Sequence, residues 1–225
     1  MSSKKKAHVP PPHIARTLPS DARIWQALKG SVYEFKAGTL MIRAAWNPES
    51  VWPEQVDKTY RFGPPATLAD GNGAFAFHWI YLGDDTITAA WEAQLCVNDA
   101  SMPGTFFFKR NAADALIAEM TFTRDLRLLD LTGDAVSKLG IYAELLEPGH
   151  EWCQWLGCVL DRIIARHPRL DGIRYMSRKH PGHYAYAISS RRMAGLDMLR
   201  RIAIVRFEET AEYLELQRDP CFSKF

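Results

Sequence analysis

Ala74-Phe75-Ala76-Phe77-His78-Trp79-Ile80-Tyr81-Leu82, then Asp84-Asp85-Thr86, then Thr88-Ala89-Ala90-Trp91-Glu92-Ala93-Gln94-Leu95: here the chain switches from strand character to helix character. The first run is aromatic and β-favouring and reads as a strand. The aspartates and threonine that follow supply an N-cap, and the third run reads as the helix it opens. Ala89, Glu92, Ala93 and Cys96 have i, i+3, i+4, i+7 spacing and share one helical face. That face is otherwise small and apolar, which turns Glu92 inward or into a cleft.

Outward from this stretch the pattern stays mixed. Upstream, Gly38 precedes a short apolar strand from Thr39 to Ala45, and residues 47–57 and 62–73, rich in proline, glycine and charge, read as loops. Downstream, strands are expected at Phe106–Phe108, Leu126–Leu131, Ile173–Met176, Tyr184–Ile188 and Ile202–Phe207. Helices are expected at Ala135–Leu139 and at Trp152–Arg166, the latter stopped by His167-Pro168. A further helix is a candidate from Ser189 to Arg200. Near the start, Ser20-Asp21 caps a short helix through Leu28 that Gly30 ends. Before it, a lysine run and Pro10-Pro11-Pro12 make residues 1 to about 20 a flexible arm. Strands and helices mix without strict βαβ alternation, internal repeat or interior linker, so the fold class is α+β in one domain.

Bulk properties set limits. The 225 residues suffice for a sizeable core, and 47% hydrophobic with 24% charged residues is ordinary globular composition. A formal charge of +2 is too balanced to predict nucleic-acid binding from the total. Seven tryptophans within 12% aromatics point to well-filled cores or a stacking pocket. Cys96, Cys153, Cys158 and Cys221 are scattered with no CxxC pair, which favours a reducing compartment; Cys153 and Cys158, in an apolar stretch, read as buried thiols. The basic start leads into prolines rather than an apolar core, and reads as neither signal peptide nor anchor. No stretch approaches the roughly 18 apolar residues of a spanning helix. A cytoplasmic protein is expected.

The chemistry-bearing groups fall in four ordered stretches: Thr39–Arg43, Tyr60–Gly63, Tyr81–Glu92 and Asp171–Ser177. Read singly, Glu92 is a solvated helix residue, Arg43 and Arg61 are surface or salt-bridged arginines, and Tyr81 is a core aromatic. Ser177 alone is a turn residue before Arg178-Lys179-His180. Read as a set, they suit a site that holds a diphosphate by charge and works on a sugar bond with a carboxylate. Other signals are weaker. His180-x-x-His183 contains Pro181-Gly182 and is a turn, with no cysteine or carboxylate at metal-site spacing, so no metal is expected. Gly71-x-Gly73 lacks the strand and third glycine of a dinucleotide fingerprint. Arg191-Arg192 and Arg200-Arg201 suit nucleic acid or an acidic partner, although solvated faces are commoner.

At these residues the chain resembles the RES-domain family, bacterial toxins that degrade NAD and are usually paired with a helix-turn-helix (Xre-like) antitoxin. The carriers are Gly38-Thr39-Leu40-Met41-Ile42-Arg43, Arg61-Phe62, Ile80-Tyr81-Leu82 with Ala89-Ala90-Trp91-Glu92, and Asp171 to Ser177. The resemblance runs from about residue 35 to about residue 207. The Gly-Gly-Arg-Trp-Asn form of many members is replaced here by Tyr60-Arg61-Phe62-Gly63-Pro64-Pro65. Residues 1–30, read from composition as a basic, proline-rich arm with a short helix, do not map onto the family; the resemblance implies 31–225 as a RES-like catalytic domain, with a mixed or split sheet similar to that of ADP-ribosyltransferase toxins. It further implies Arg43, Glu92 and Ser177 as catalytic residues and Arg43, Arg61, Tyr81 and Ser177 as NAD-binding ones. In that scheme Arg43 and Arg61 clamp the diphosphate, Glu92 stabilises the developing ribose charge, and Tyr81 stacks or hydrogen-bonds. Ser177 holds a ribose hydroxyl or a phosphate oxygen. No cofactor is implied; NAD is the substrate and phosphate a candidate co-substrate. An antitoxin is the expected partner, a homodimer is open, and neither a membrane nor direct nucleic-acid contact is expected. The alternatives are an ADP-ribosyltransferase acting on a macromolecule and a non-catalytic binding module.

Overall fold

The structure, a computed structural model, describes residues 9–147, 149–193 and 199–223. Its helices are α1 (Pro12–Ala15), α2 (Asp21–Leu28), α3 (Thr86–Glu92), α4 (Asp134–Leu139), α5 (Tyr142–Leu146), α6 (Glu151–Arg166) and α7 (Ala211–Arg218). Its strands are β1 (Val32–Phe35), β2 (Met41–Ala45), β3 (Trp79–Gly83), β4 (Cys96–Asn98), β5 (Phe106–Phe108), β6 (Leu116–Phe122), β7 (Leu126–Leu131), β8 (Gly172–Met176), β9 (Tyr184–Ser189) and β10 (Leu199–Arg206). Eight strands form one mixed sheet in the order β1-β7-β8-β9-β3-β2-β6-β10, while β4 and β5 pair separately. Within the large sheet only β7 and β8 run parallel. The fold is α+β.

The sheet is nearly parted in its middle. β3 pairs with β9 over five residues and β2 with β6 over five, but β2 and β3 meet at the single pair Ile42↔Gly83. One half, β1-β7-β8-β9-β3, is covered by α2, α4, α5 and α6 around a core that includes Ile24, Leu28, Leu129, Leu156, Leu160, Ile163 and Ile173. The other half carries α3 and α7 over Ile42, Ala89, Ala90, Ile117 and Phe207. A third cluster around Met41, Ile80, Leu82, Met120 and Ile188 joins the two.

Several sequence expectations need correction. The aromatic run becomes strand only from Trp79, because its partner β9 turns away at Ser189, opposite Trp79, into a short 3-10 turn at Ser190–Arg192. That turn, β9's extension to Ser189 and the strand from Leu199 leave no helix over the described part of 189–200; residues 194–198 lie outside the described residues. α3 ends at Glu92 rather than Leu95: Gln94 is left-handed and the Leu95 N–H closes back on the Ala90 carbonyl. Cys96 therefore belongs to β4, not to the face of Glu92. The arm reading holds for none of the chain from Pro12 onward. Ile14 is buried in the main core, the Trp152 indole N–H donates to the Thr17 hydroxyl, and Arg162 and Arg166 pair with Asp21. Residue 30 is thus no boundary, and the lysine run at 4–6 lies outside the described residues. Cys153 and Cys158 are buried thiols as expected. Among the described residues no helix is long and apolar enough to cross a membrane.

Candidate active site

The parted strands leave a cavity of about 280 Å³ lined by Arg43, Ala44 and Ala45 of β2 and by Tyr81, Leu82 and Gly83 of β3. Glu92 and Gln94 at the end of α3, Tyr60 and Arg61, and Arg178 and Lys179 complete most of its wall, with Trp46, Lys109 and His150. A more open groove of about 710 Å³ at the α1–α2 junction and α4 is lined by no carboxylate, histidine or cysteine.

Glu92 is fixed from β8. Along that strand alternate residues share a face, so Tyr175 and Ser177 look one way and Arg174 the other. The Ser177 hydroxyl donates to Glu92 Oε1 at 2.6 Å and the Tyr175 hydroxyl to Oε2 at 3.0 Å. Ser177 is 1% exposed, does not line the cavity, and also accepts the backbone N–H groups of Lys179 and His180. Its hydroxyl is thus engaged by Glu92 and by two backbone N–H groups, behind the cavity wall rather than on it. Burial, with the Glu92 charge beside it, pushes the Tyr175 phenol well above its ordinary value, so it stays a donor. On the opposite face Arg174 pairs with Asp130 and stacks on the rings of Tyr33 and Tyr184. Asp171, at the foot of β8, is a structural anchor held by Arg124 and by the Arg127 N–H.

Arg61 comes from a loop held on two sides. The Tyr81 hydroxyl accepts the Phe62 N–H at 3.0 Å, and the Trp79 indole donates to the Phe62 carbonyl at 2.7 Å. Arg61 is only 7% exposed and donates from Nη2 to the Leu145 carbonyl. Its guanidinium lies over the rings of Phe62 and Tyr175, 4.9 and 5.3 Å from their centroids. Its Nε and Nη1 have no partner among the described residues, and neither does Arg178 Nη1. Burial, followed by the Arg61 charge, lowers the Arg178 pKa.

Arg43 is first a strut. It donates from Nε and Nη2 to the Ser50 carbonyl and from Nη1 to the Tyr81 carbonyl, at 2.7–2.9 Å, bridging the gap between β2 and β3. One N–H on each Nη remains for a ligand. Burial pulls its pKa down to about 10, so it is charged at neutral pH. Tyr81 is buried enough that its phenol is pushed up, and its edge meets the ring of Tyr60, which is 55% exposed at the mouth.

The structure thus brings Arg43, Arg61, Tyr81 and Glu92 to one cavity and sets Ser177 behind it. Sequence reasoning missed Tyr175, which strand alternation with Ser177 gives away, and Arg178, Lys179 and His150, for which no sequence signal exists. It also missed the carboxylate beside the histidines. Asp85, the N-cap of α3, accepts from His183 Nδ1 at 2.9 Å, from the Thr88 N–H at 2.6 Å and from the Thr88 hydroxyl at 3.0 Å. The donor atoms of Asp85, His180 and His183 lie within 4.8 Å of one another, a set that spacing alone excluded. The two imidazoles are stacked at 3.8 Å with 9° between planes. Through the Asp85 contacts to His183 and to Thr88 the cluster ties the start of α3 to the turn after β8. The Arg191-Arg192 doublet is tied back to the fold: Arg191, though exposed, forks onto Asp161, and Arg192 caps the carbonyls of Ile164, His167 and Leu170. No protein-family model matches the chain, and no curated protein matches it either, so the site is read from its own geometry.

Proposed function

We propose that the chain is an NAD-degrading enzyme that cleaves the nicotinamide–ribose bond. One observation carries the reading: across a single cavity, a carboxylate fixed by two hydroxyls faces a buried guanidinium with unfilled donors. Burying a cation with unmatched N–H groups is costly unless an anion meets it. A diphosphate offers oxygens at the spacing a guanidinium fork prefers. In this reading Arg61 and Arg178 lend the wall their positive charge, and Arg43 adds its remaining donors from across the gap.

The chemistry follows from the carboxylate. The bond from ribose C1′ to the pyridinium nitrogen breaks, its electron pair going to the ring and neutralising nicotinamide. The ribose gains oxocarbenium character, which the Glu92 charge stabilises. An oxygen of water or inorganic phosphate then bonds to C1′, and a water's proton is lost to Glu92 or solvent. Ser177 and Tyr175 act through Glu92 as positioning residues. NAD is substrate here, not cofactor. Draining NAD from a cell is toxic, so restraint by a helix-turn-helix antitoxin belongs to the same proposal, in line with the RES resemblance.

The test is incubation of the purified protein with NAD, with and without phosphate, followed by product identification. Nicotinamide release is expected. Glu92→Gln should lower turnover by about 10²–10³ while the melting temperature stays near native. Absence of NAD consumption by the native protein, or native-like consumption by Glu92→Gln, overturns the reading. Adenine-labelled NAD separates the acceptors, since label on a macromolecule marks transfer.

A further inference from the structure

We propose that Gln94, its side-chain oxygen fixed by Lys109, reads the carboxamide of the departing nicotinamide; the inference rests on the NAD-cleaving reading above. Gln94 stands two residues after Glu92 with φ 57°, in the left-handed region where a helix end ordinarily places glycine. Apart from glycines, only Asn111 shares a positive φ among the described residues, and asparagine tolerates it. A glutamine kept there points to a task for its side chain.

The surroundings specify the task. Gln94 Oε1 accepts from Lys109 Nζ at 2.9 Å, and Lys109 is set in turn by its N–H donating to the Leu95 carbonyl. An ammonium has no acceptor, so the amide oxygen, not the nitrogen, must face it. The amide nitrogen has no partner among the described residues, and its two hydrogens can meet only an acceptor. Gln94 and Lys109 line the same cavity as Glu92. Trp46 stands on that wall with its indole N–H spent on the Ala93 carbonyl, so its 41% exposed surface offers only a ring. A planar ring bearing a carbonyl oxygen matches this wall: ring against Trp46, oxygen against the Gln94 amide. Glu92 and Gln94, two residues apart at the end of α3, both open onto this cavity. With the scissile bond at Glu92, the far substituent of the leaving group reaches Gln94.

Gln94→Gly keeps the backbone conformation, and should melt at or above the native temperature while raising the KM for NAD about tenfold, the scale of one lost hydrogen bond. A second substrate isolates the contact: an NAD analogue with an unsubstituted pyridinium. The native protein should prefer NAD to this analogue by about tenfold in KM, and in Gln94→Gly the preference should vanish. Lys109→Met, which frees the amide to rotate, should lose part of it. A Gln94→Gly protein with native KM and native preference overturns the proposal alone. Failure of the native protein to release nicotinamide overturns the functional reading and this one with it.

Discussion

At the scale of single residues, Arg61 is where the physical argument is sharpest. The residue is 7% exposed, yet among the described residues its guanidinium meets only the Leu145 carbonyl, the Cys153 thiol and the rings of Phe62 and Tyr175. No described carboxylate pairs with it; Glu92, the one carboxylate on the cavity wall, is held by Ser177 and Tyr175. A buried cation without an anionic partner costs stability, because its desolvation is not repaid by a nearby charge. Arg61→Met keeps much of the volume and the contact with Phe62 and Tyr175. It should raise the melting temperature by a few degrees, at about 2–4 °C per kcal/mol for a chain of this size, while abolishing NAD binding. Calorimetric melting and a binding titration check both halves. A variant that melts lower and still binds NAD would make Arg61 a structural strut.

At the scale of elements, the site depends on how closely α6 approaches the Arg61–Phe62 loop. Gly157 makes that approach possible: a Cβ there would collide with the Phe62 carbonyl, which is already held by the Trp79 indole. Neither partner is the end of a flexible side chain, so helix or loop must move. Gly157→Ala should cost about 1–3 kcal/mol or more and displace Arg61, so that NAD turnover falls further than stability does. Urea unfolding with parallel turnover measures this; native activity in a fully folded Gly157→Ala protein would show that loop position is not critical. The same packing explains what was legible in the sequence. α6 and β7 declare themselves through long apolar periods, and Ser20 and Asp85 as caps through local chemistry. The start of β3 was not legible, because it is set by where β9 turns away. Asp85 beside His183 was not legible either, since 98 residues separate them in the chain. Of the cavity lining, Arg43, Arg61, Tyr81 and Glu92 were named from the four ordered stretches and the RES resemblance. The committed state of the Ser177 hydroxyl depends on a turn that folds back on it.

For the whole molecule, charge is concentrated where the sheet parts. The chain as a whole carries only +2, but the cavity gathers Arg43, Arg61, Lys109, Arg178 and Lys179 against the single carboxylate of Glu92. Mutual repulsion among these groups opposes folding, and an anion bound there relieves it. Pyrophosphate at 100 times its Kd should therefore stabilise the protein by about 2.7 kcal/mol, or roughly 5–10 °C in melting temperature for a chain of this size. His150 gives the effect a pH dependence of definite sign. Burial, then the charges of Arg178, Arg61 and Lys179, hold its pKa below the ordinary 6.5. The unfolded chain thus takes up that proton more readily, and ligand-free stability declines as pH falls below about 6.5. A bound anion reverses the electrostatic part of that shift, so binding takes up a proton and tightens on acidification. At pH 6 relative to pH 8, the melting increment from pyrophosphate should accordingly be larger in the native protein than in His150→Gln, which shares the anion's own titration but lacks the imidazole. Scanning calorimetry of the native protein beside His150→Gln decides the matter, since pyrophosphate's own protonation affects both alike: the same pH trend in the two proteins would place the anion away from His150.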